Sequence, residues 1–322
     1  MQKLALTLGL ILGLMVQVPA VAQTAETMPF TVTLLGTGAP PPDPNRFGPA
    51  TLVQAGTQTL LFDVGRGAPI RLWQKRVPLR DIDAVFLTHL HSDHVVGIPD
   101  VWLSGWLGGP FARRTTPFRI FGPEGTDGLM AGLWQAYSED RRIRIEDENY
   151  PIKGIAIDAQ EFTSDGVVYE AEDVRVTAFT VDHGEHIKPA FGYLIEFDGR
   201  SVVLSGDTRK SDAVIAHATG ANLLVHEVAA VRPELLSDAQ VLRVMNHHTS
   251  PQEAGEVFDK AAPGLAVYSH LVLLARPGVS ALTADELIGQ TRATYSGPLR
   301  VGEDLMTIEL LPDGQASVVP EK

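Results

Sequence analysis

The run His89-Leu-His91-Ser-Asp93-His94 puts three imidazoles and one carboxylate within six residues. Such a density is electrostatically awkward on a bare surface loop and natural around a cation. In an extended segment, residues two apart project to the same side, so His89 and His91 can grip one cation. A turn directly after His91 would aim Asp93 and His94 at a second cation beside the first. The chain contains no cysteine, so its metal donors must be nitrogen and oxygen. Such donors suit hydrolytic zinc, with manganese or iron as rivals. Two divalent ions about 3.5–4 Å apart are a recurring device for activating water and steadying charge on a displaced oxygen.

Strands must deliver these groups. DAVFLT (83–88) reads as a buried strand that leads into the run. VRVTAFTVD precedes His183, SVVLSG precedes Asp207 and GLAVYS precedes His270. Strand ends are rigid, and the loops beyond them can converge at one edge of a sheet. The chain has two halves of similar style. Short strands over 31–35, 51–54 and 60–63 lead to a helix over 68–75. Later strands over 174–180, 191–197, 201–204, 223–226 and 265–268 are joined by helices over 251–260 and 283–294. This alternation predicts an α/β fold of two sheets covered by helices. Between the halves, 102–160 holds Trp102, Trp106 and Trp134 and a charged stretch over 138–149. It reads as a helical insertion, either packed on the domain or forming an aromatic lid near the site.

HLHSDHVVG, together with His183, Ser205-Gly206-Asp207 and Ser269-His270, resembles the metallo-β-lactamase superfamily, specifically its ribonuclease Z-like branch. Within that branch LLGTGAPPPDPNRFGPATLV, LLFDVGRGAPIRLWQ and GIPDVWLSGW are most similar to an arylsulfatase-type group. The resemblance implies a four-layer αββα sandwich with both metals at one edge. It implies His89, His91 and His183 on the first metal, Asp93, His94 and His270 on the second, and Asp207 between them. It also implies a proton-transfer pair, Glu227 and His248, although HEVA and HTS depart from the more usual HEAT and HST. Asp63 is expected to orient a metal-binding histidine or to make a turn contact. Arg46 is a candidate for an anionic substrate group. A homodimer would follow the family pattern.

The first residues read as a leader. A short positive start precedes an apolar run over 4–18, and Ala20-Val21-Ala22 offers a cleavage site after Ala22. That run is short for a membrane span. The expected mature chain is therefore 23–322, periplasmic or secreted, without a stable membrane anchor. The net charge of -13 argues against nucleic acid as a partner. The resulting expectation is an exported two-metal hydrolase of small anionic esters, sulfate esters first. A phosphodiesterase or lactonase on the same site is the alternative, and a non-catalytic metal- or ligand-binding protein is the competing class. Transfer-RNA processing ranks lower because of export, acidity and the lack of a Gly-rich basic arm. A β-lactamase ranks lower because Asp207 fits the ribonuclease Z-like branch better.

Overall fold

The computed structural model describes residues 28–320, so the expected leader over 1–22 lies outside the described residues. Two sheets carry the fold. In the first, β1 (Phe30–Gly36), β2 (Ala50–Ala55) and β3 (Gln58–Phe62) form an antiparallel meander. The parallel strands β4 (Ala84–Phe86), β5 (Phe118–Pro123) and β6 (Ile157–Phe162) extend it. The second sheet repeats the plan. There β7 (Gly166–Ala171), β8 (Val174–Thr180), β9 (Phe191–Phe197) and β10 (Arg200–Leu204) are antiparallel. The parallel strands β11 (Leu223–Ala230), β12 (Leu265–Leu273) and β13 (Leu299–Val301) follow. The chain then returns through β14 (Thr307–Leu310) and β15 (Ala316–Val318) to the edge beside β1.

Parallel neighbours need crossovers, and helices supply them. Helix α1 (Ala68–Gln74) joins β3 to β4, and α2 (Ser92–Val95) with α3 (Ile98–Trp106) joins β4 to β5. Helices α4 (Thr126–Ala136), α5 (Ser138–Glu148) and α6 (Ile152–Ile155) lie between β5 and β6. In the second half α7 (Asp212–Ala218), α8 (Ala239–Met245), α9 (Pro251–Ala261) and α10 (Ala284–Thr291) do the same work.

Alternation along the strands sets the layers. Leu60, Phe62, Ala84 and Phe86 face the second sheet, while Leu61 and Val85 face Leu72, Val101 and Trp102 of the covering helices. Phe62, Phe86 and Phe121 stack across three strands, with centroids 4.8 and 5.1 Å apart, and Tyr193 meets Phe62 from the opposite sheet. On the far side, Val203, Leu224 and Ala266 pack under Val214, Val257 and Phe258. The result is the expected helix–sheet–sheet–helix sandwich. Among the described residues no helix is long and apolar enough to cross a membrane.

Three local readings change. The segment 102–160 contributes β5 and β6 to the first sheet, and Trp102 and Trp106 are buried in its core. Helix α5 buries no residue fully, and its Arg142 and Arg144 pair with acids one turn away. Strands β11 and β12 also run past the predicted ends, so Glu227 and His270 lie inside strands and not after them.

Candidate metal centre

Strand β4 stops at Phe86, and the chain bends at Thr88 and runs on to His91, the extended residue that caps α2. His89 Nε2 and His91 Nδ1 lie 2.9 Å apart, and His183 Nε2, from the loop after β8, lies 3.3 Å from the same His91 nitrogen. The first turn of α2 swings Asp93 and His94 to the other side, where His270 Nε2 is 3.3 Å from Asp93 Oδ2. His270 reaches inward as the extra residue of a β-bulge, because Glu227 and Val228 of β11 pair with Ser269 and Leu271. Its φ of 44° is a conformation that side chains adopt only where the surrounding structure enforces it.

Asp207 sits between the two groups. Its Oδ2 lies 3.3 Å from His270 Nε2, 3.4 Å from His94 Nε2, 3.7 Å from His183 Nε2 and 3.9 Å from His89 Nε2. One carboxylate oxygen thus faces four imidazoles in a buried site. Burial opposes its charge, but His270 and His94 outweigh burial and hold the carboxyl well below the usual range.

The outer nitrogens decide which inner ones carry lone pairs. His183 Nδ1 donates to the His247 carbonyl at 2.9 Å. His94 Nδ1 donates to Asp63 Oδ2 at 2.7 Å, and Thr88 Oγ1 donates to the same oxygen while accepting from His89 Nδ1. Each Nε2 is therefore free to face inward. Burial holds the His89, His91 and His183 pKa values below the ordinary range, His183 at about 4. These rings are neutral donors at physiological pH. His94 differs: burial opposes its charge, but Asp207 and Asp63 raise its pKa, and the field that favours a proton there equally favours a divalent cation. His94 Nε2 is buried with no hydrogen-bond partner among the described residues. Convergent unprotonated nitrogens, an orphaned buried nitrogen and a central carboxylate fit two divalent cations. The groupings His89–His91–His183–Asp207 and Asp93–His94–His270 can each hold one.

Beside them stands a polar pair. Glu227 Oε1 accepts the Thr249 and Thr208 amides at 2.9 and 3.2 Å, and Oε2 accepts His248 Nδ1 at 3.2 Å. Burial works against a charged His248, but Glu227 prevails and lifts its pKa to about 9. At neutral pH His248 carries a proton beside Asp207 and His270, within ligand reach of both.

Two features support the metal loop from below. Asp63 (φ 56°) tethers Thr88 and His94 as described, so orientation is its role and not metal ligation. Gly65 lies where three backbones cross. A Cβ there would stand 2.4 Å from Gly48 C, 2.6 Å from Pro49 N and 2.7 Å from the Asp93 carbonyl. None of these atoms belongs to a side chain that can swing away. Gly65→Ala is expected to cost about 1–3 kcal/mol of stability and to weaken metal retention by shifting Asp93. Urea unfolding and elemental analysis check this, and unchanged values in both would contradict it.

The seven ligand candidates converge, as do His248 and Glu227. Arg46 stands apart: its Nη1 is committed to Thr37 Oγ1 and the Gly302 carbonyl, clamping the loop before β2. His217 stacks on Phe179 away from the site, and His226 is buried against Phe258. Sequence reasoning missed Thr88, the Thr208 and Thr249 amides and the His247 carbonyl. Backbone groups leave no signature in residue type, and only the position of Thr88 beside His89 offered a cue.

A family model described as "Beta-lactamase superfamily domain" matches residues 58–271. Ribonuclease Z of Mycobacterium marinum is 35% identical over 285 residues, covering 87% of this chain and 98% of its own length. Ribonuclease Z of Mycobacterium bovis is 36% identical over 288 residues, with the same coverage. Among solved structures, the metallo-β-lactamase fold protein YhfI of Bacillus subtilis superposes with a TM-score of 0.65 at 20% identity, covering 87% of this chain and 99% of that one. The short form of human tRNase Z does so with 0.63 at 22%, covering 86% and 98%. These two likenesses concern the fold.

The homologues correct two expectations. A small sulfate ester as substrate and the exclusion of nucleic acid are both overturned by full-length relatives named ribonuclease Z. Net charge is a whole-chain average, whereas a polyanion is recognised by local groups. A two-cation site also serves tetrahedral sulfur and phosphorus alike, so ligand spacing could not separate them. The chain belongs to the metallo-β-lactamase superfamily, with ribonuclease Z homologues, and is a metal-dependent hydrolase of ester bonds.

Proposed function

We propose that this protein is a ribonuclease Z-type phosphodiesterase that cuts RNA, with precursor transfer RNA as the substrate class. The observation that carries the reading is Asp207 amid four imidazoles, with the hydrogen-bonded pair His248–Glu227 beside it. It stands in a chain that spans nearly the whole length of relatives named ribonuclease Z. On this reading His89, His91 and His183 hold one cation, Asp93, His94 and His270 hold the other, and Asp207 serves both. Nitrogen and oxygen donors without thiolate favour zinc.

The bound cations would supply an acidified water and neutralise charge on the phosphoryl oxygens. The remaining work falls to the chain. Asp63 and the His247 carbonyl keep the imidazoles in one tautomer and one orientation. Glu227, fixed by two backbone amides, occupies His248 Nδ1 and leaves Nε2 for the cleft. From there His248 donates its proton to the departing ribose oxygen as the P–O bond breaks. Incubation with a precursor transfer RNA carrying a 3′ trailer tests the reading. A discrete cut that chelation abolishes is expected, and an intact transcript, or cutting that survives exhaustive chelation, would contradict it.

A further inference from the structure

Helix α1 buries Ala68, Pro69 and Leu72 and turns Ile70 and Trp73 outward, 54% and 60% exposed. Trp73 meets Phe111, in the loop between α3 and β5, edge to face with centroids 4.6 Å apart. With Gln74, Arg76 and Pro110 the two rings line an open cleft of about 500 Å³. The cleft is held in shape, because Leu79 N donates to the Phe111 carbonyl and Arg80 bonds the Pro110 and Ala112 carbonyls on either side. An exposed aromatic cluster of this kind marks a binding surface more often than chance.

The charge around it indicates the occupant. No carboxylate lines the cleft. Among the described residues Arg76, on the cleft wall, and Arg66, in the turn before α1, have no ion-pair partner, whereas Asp81 and Asp304 are taken by Arg80 and Arg71. In a chain of net charge -13, a cationic aromatic cleft is complementary to a nucleic-acid strand: bases stack on rings while guanidinium groups meet phosphates. A second copy of the chain, meeting this face through a two-fold axis, would bring the same positive charge against it. The location suits the metal centre: Gly65, three residues before α1, lies against the Asp93 carbonyl, and Trp73 stands about 7.5 Å along the helix axis from Ala68, where α1 begins.

We propose that Trp73 and Phe111 form a stacking platform for an unpaired base of the RNA whose scissile bond lies at the metal centre, with Arg76 on an adjoining phosphate; this rests on the RNA-cleaving function proposed above. Zinc-loaded, full-length Trp73→Ala is compared with the wild type on precursor transfer RNA and on bis(p-nitrophenyl) phosphate, which spans the metal centre alone. The platform predicts a rise in KM for RNA of roughly 5- to 100-fold, kcat within about twofold and unchanged hydrolysis of the small diester. Trp73→Phe restores the KM. Oligouridylate quenches tryptophan fluorescence more strongly in the wild type than in Trp73→Ala, since Trp102 and Trp106 are buried and Trp134 is only partly exposed. An unchanged KM for RNA in Trp73→Ala overturns the platform and leaves RNA cleavage standing. A change of mass by light scattering in Trp73→Ala assigns the face to a second copy and also overturns it. If the wild type hydrolyses the small diester but cuts no RNA, the functional reading fails, and the platform with it.

Discussion

Asp207→Ala is expected to lower kcat for phosphodiester hydrolysis by roughly a thousandfold or more and to cut bound metal from two ions per chain to about one. The reason is geometric. Among the described residues, Asp207 Oδ2 is the one carboxylate oxygen that lies within 3.9 Å of His89, His94, His183 and His270 together. Without it, two clusters of neutral or partly protonated imidazoles face each other in a buried space with no anion between them. Asp93 can offset charge only on the side of His94 and His270. Asp207→Asn keeps the shape but loses the charge, and should fall close to alanine in both readouts. Elemental analysis beside steady-state kinetics checks this. A variant that kept two ions and wild-type kcat would show that Asp207 is not shared between two cations.

His248→Ala should reduce kcat on RNA by about 10²- to 10⁴-fold, the usual worth of a positioned proton donor. On bis(p-nitrophenyl) phosphate the loss should be less than about tenfold, because nitrophenolate departs without a proton. The contrast between the two substrates separates proton donation from a structural or metal-binding role. Glu227→Gln should show the same contrast more weakly, since the Thr208 and Thr249 amides would lose their acceptor charge while His248 stays in place. Equal losses on both substrates would mean that His248 acts through the cations and not on the leaving group. That outcome has a structural basis, because Asp207, His248 and His270 also lie within ligand reach of one another.

The ligand set was legible because its members have distinctive side chains at strand ends. The two-apart spacing of His89 and His91, and a turn before Asp93, emerge as α2 beginning at Ser92. What escaped was whatever residue type does not encode. His270 was placed after a strand, yet it bulges from the middle of one, because LAVYSHLVL is a continuous apolar run interrupted by a single polar pair. FRIFGP and IDAQEF were absorbed into a helical segment, although they pair in parallel as β5 and β6 across long crossovers that leave no local signal. Arg46 looked like an anion receptor because a guanidinium in a loop looks the same whether it meets a ligand or a carbonyl. The substrate was misjudged for a different reason. The -13 net charge carried more weight than it could bear, since exposed arginines such as Arg66 and Arg76, on either side of α1, are invisible in a sum.

The most direct test of the central claim, that water is delivered to an RNA phosphodiester at a two-cation site, is the chemistry of the cut ends. Cleavage of a precursor transfer RNA in ¹⁸O-labelled water, followed by mass spectrometry of the products, should give one hydroxyl end and one linear phosphate end. That phosphate should carry a single solvent oxygen. A 2′,3′-cyclic phosphate would show that the RNA's own hydroxyl made the attack, and would contradict the account.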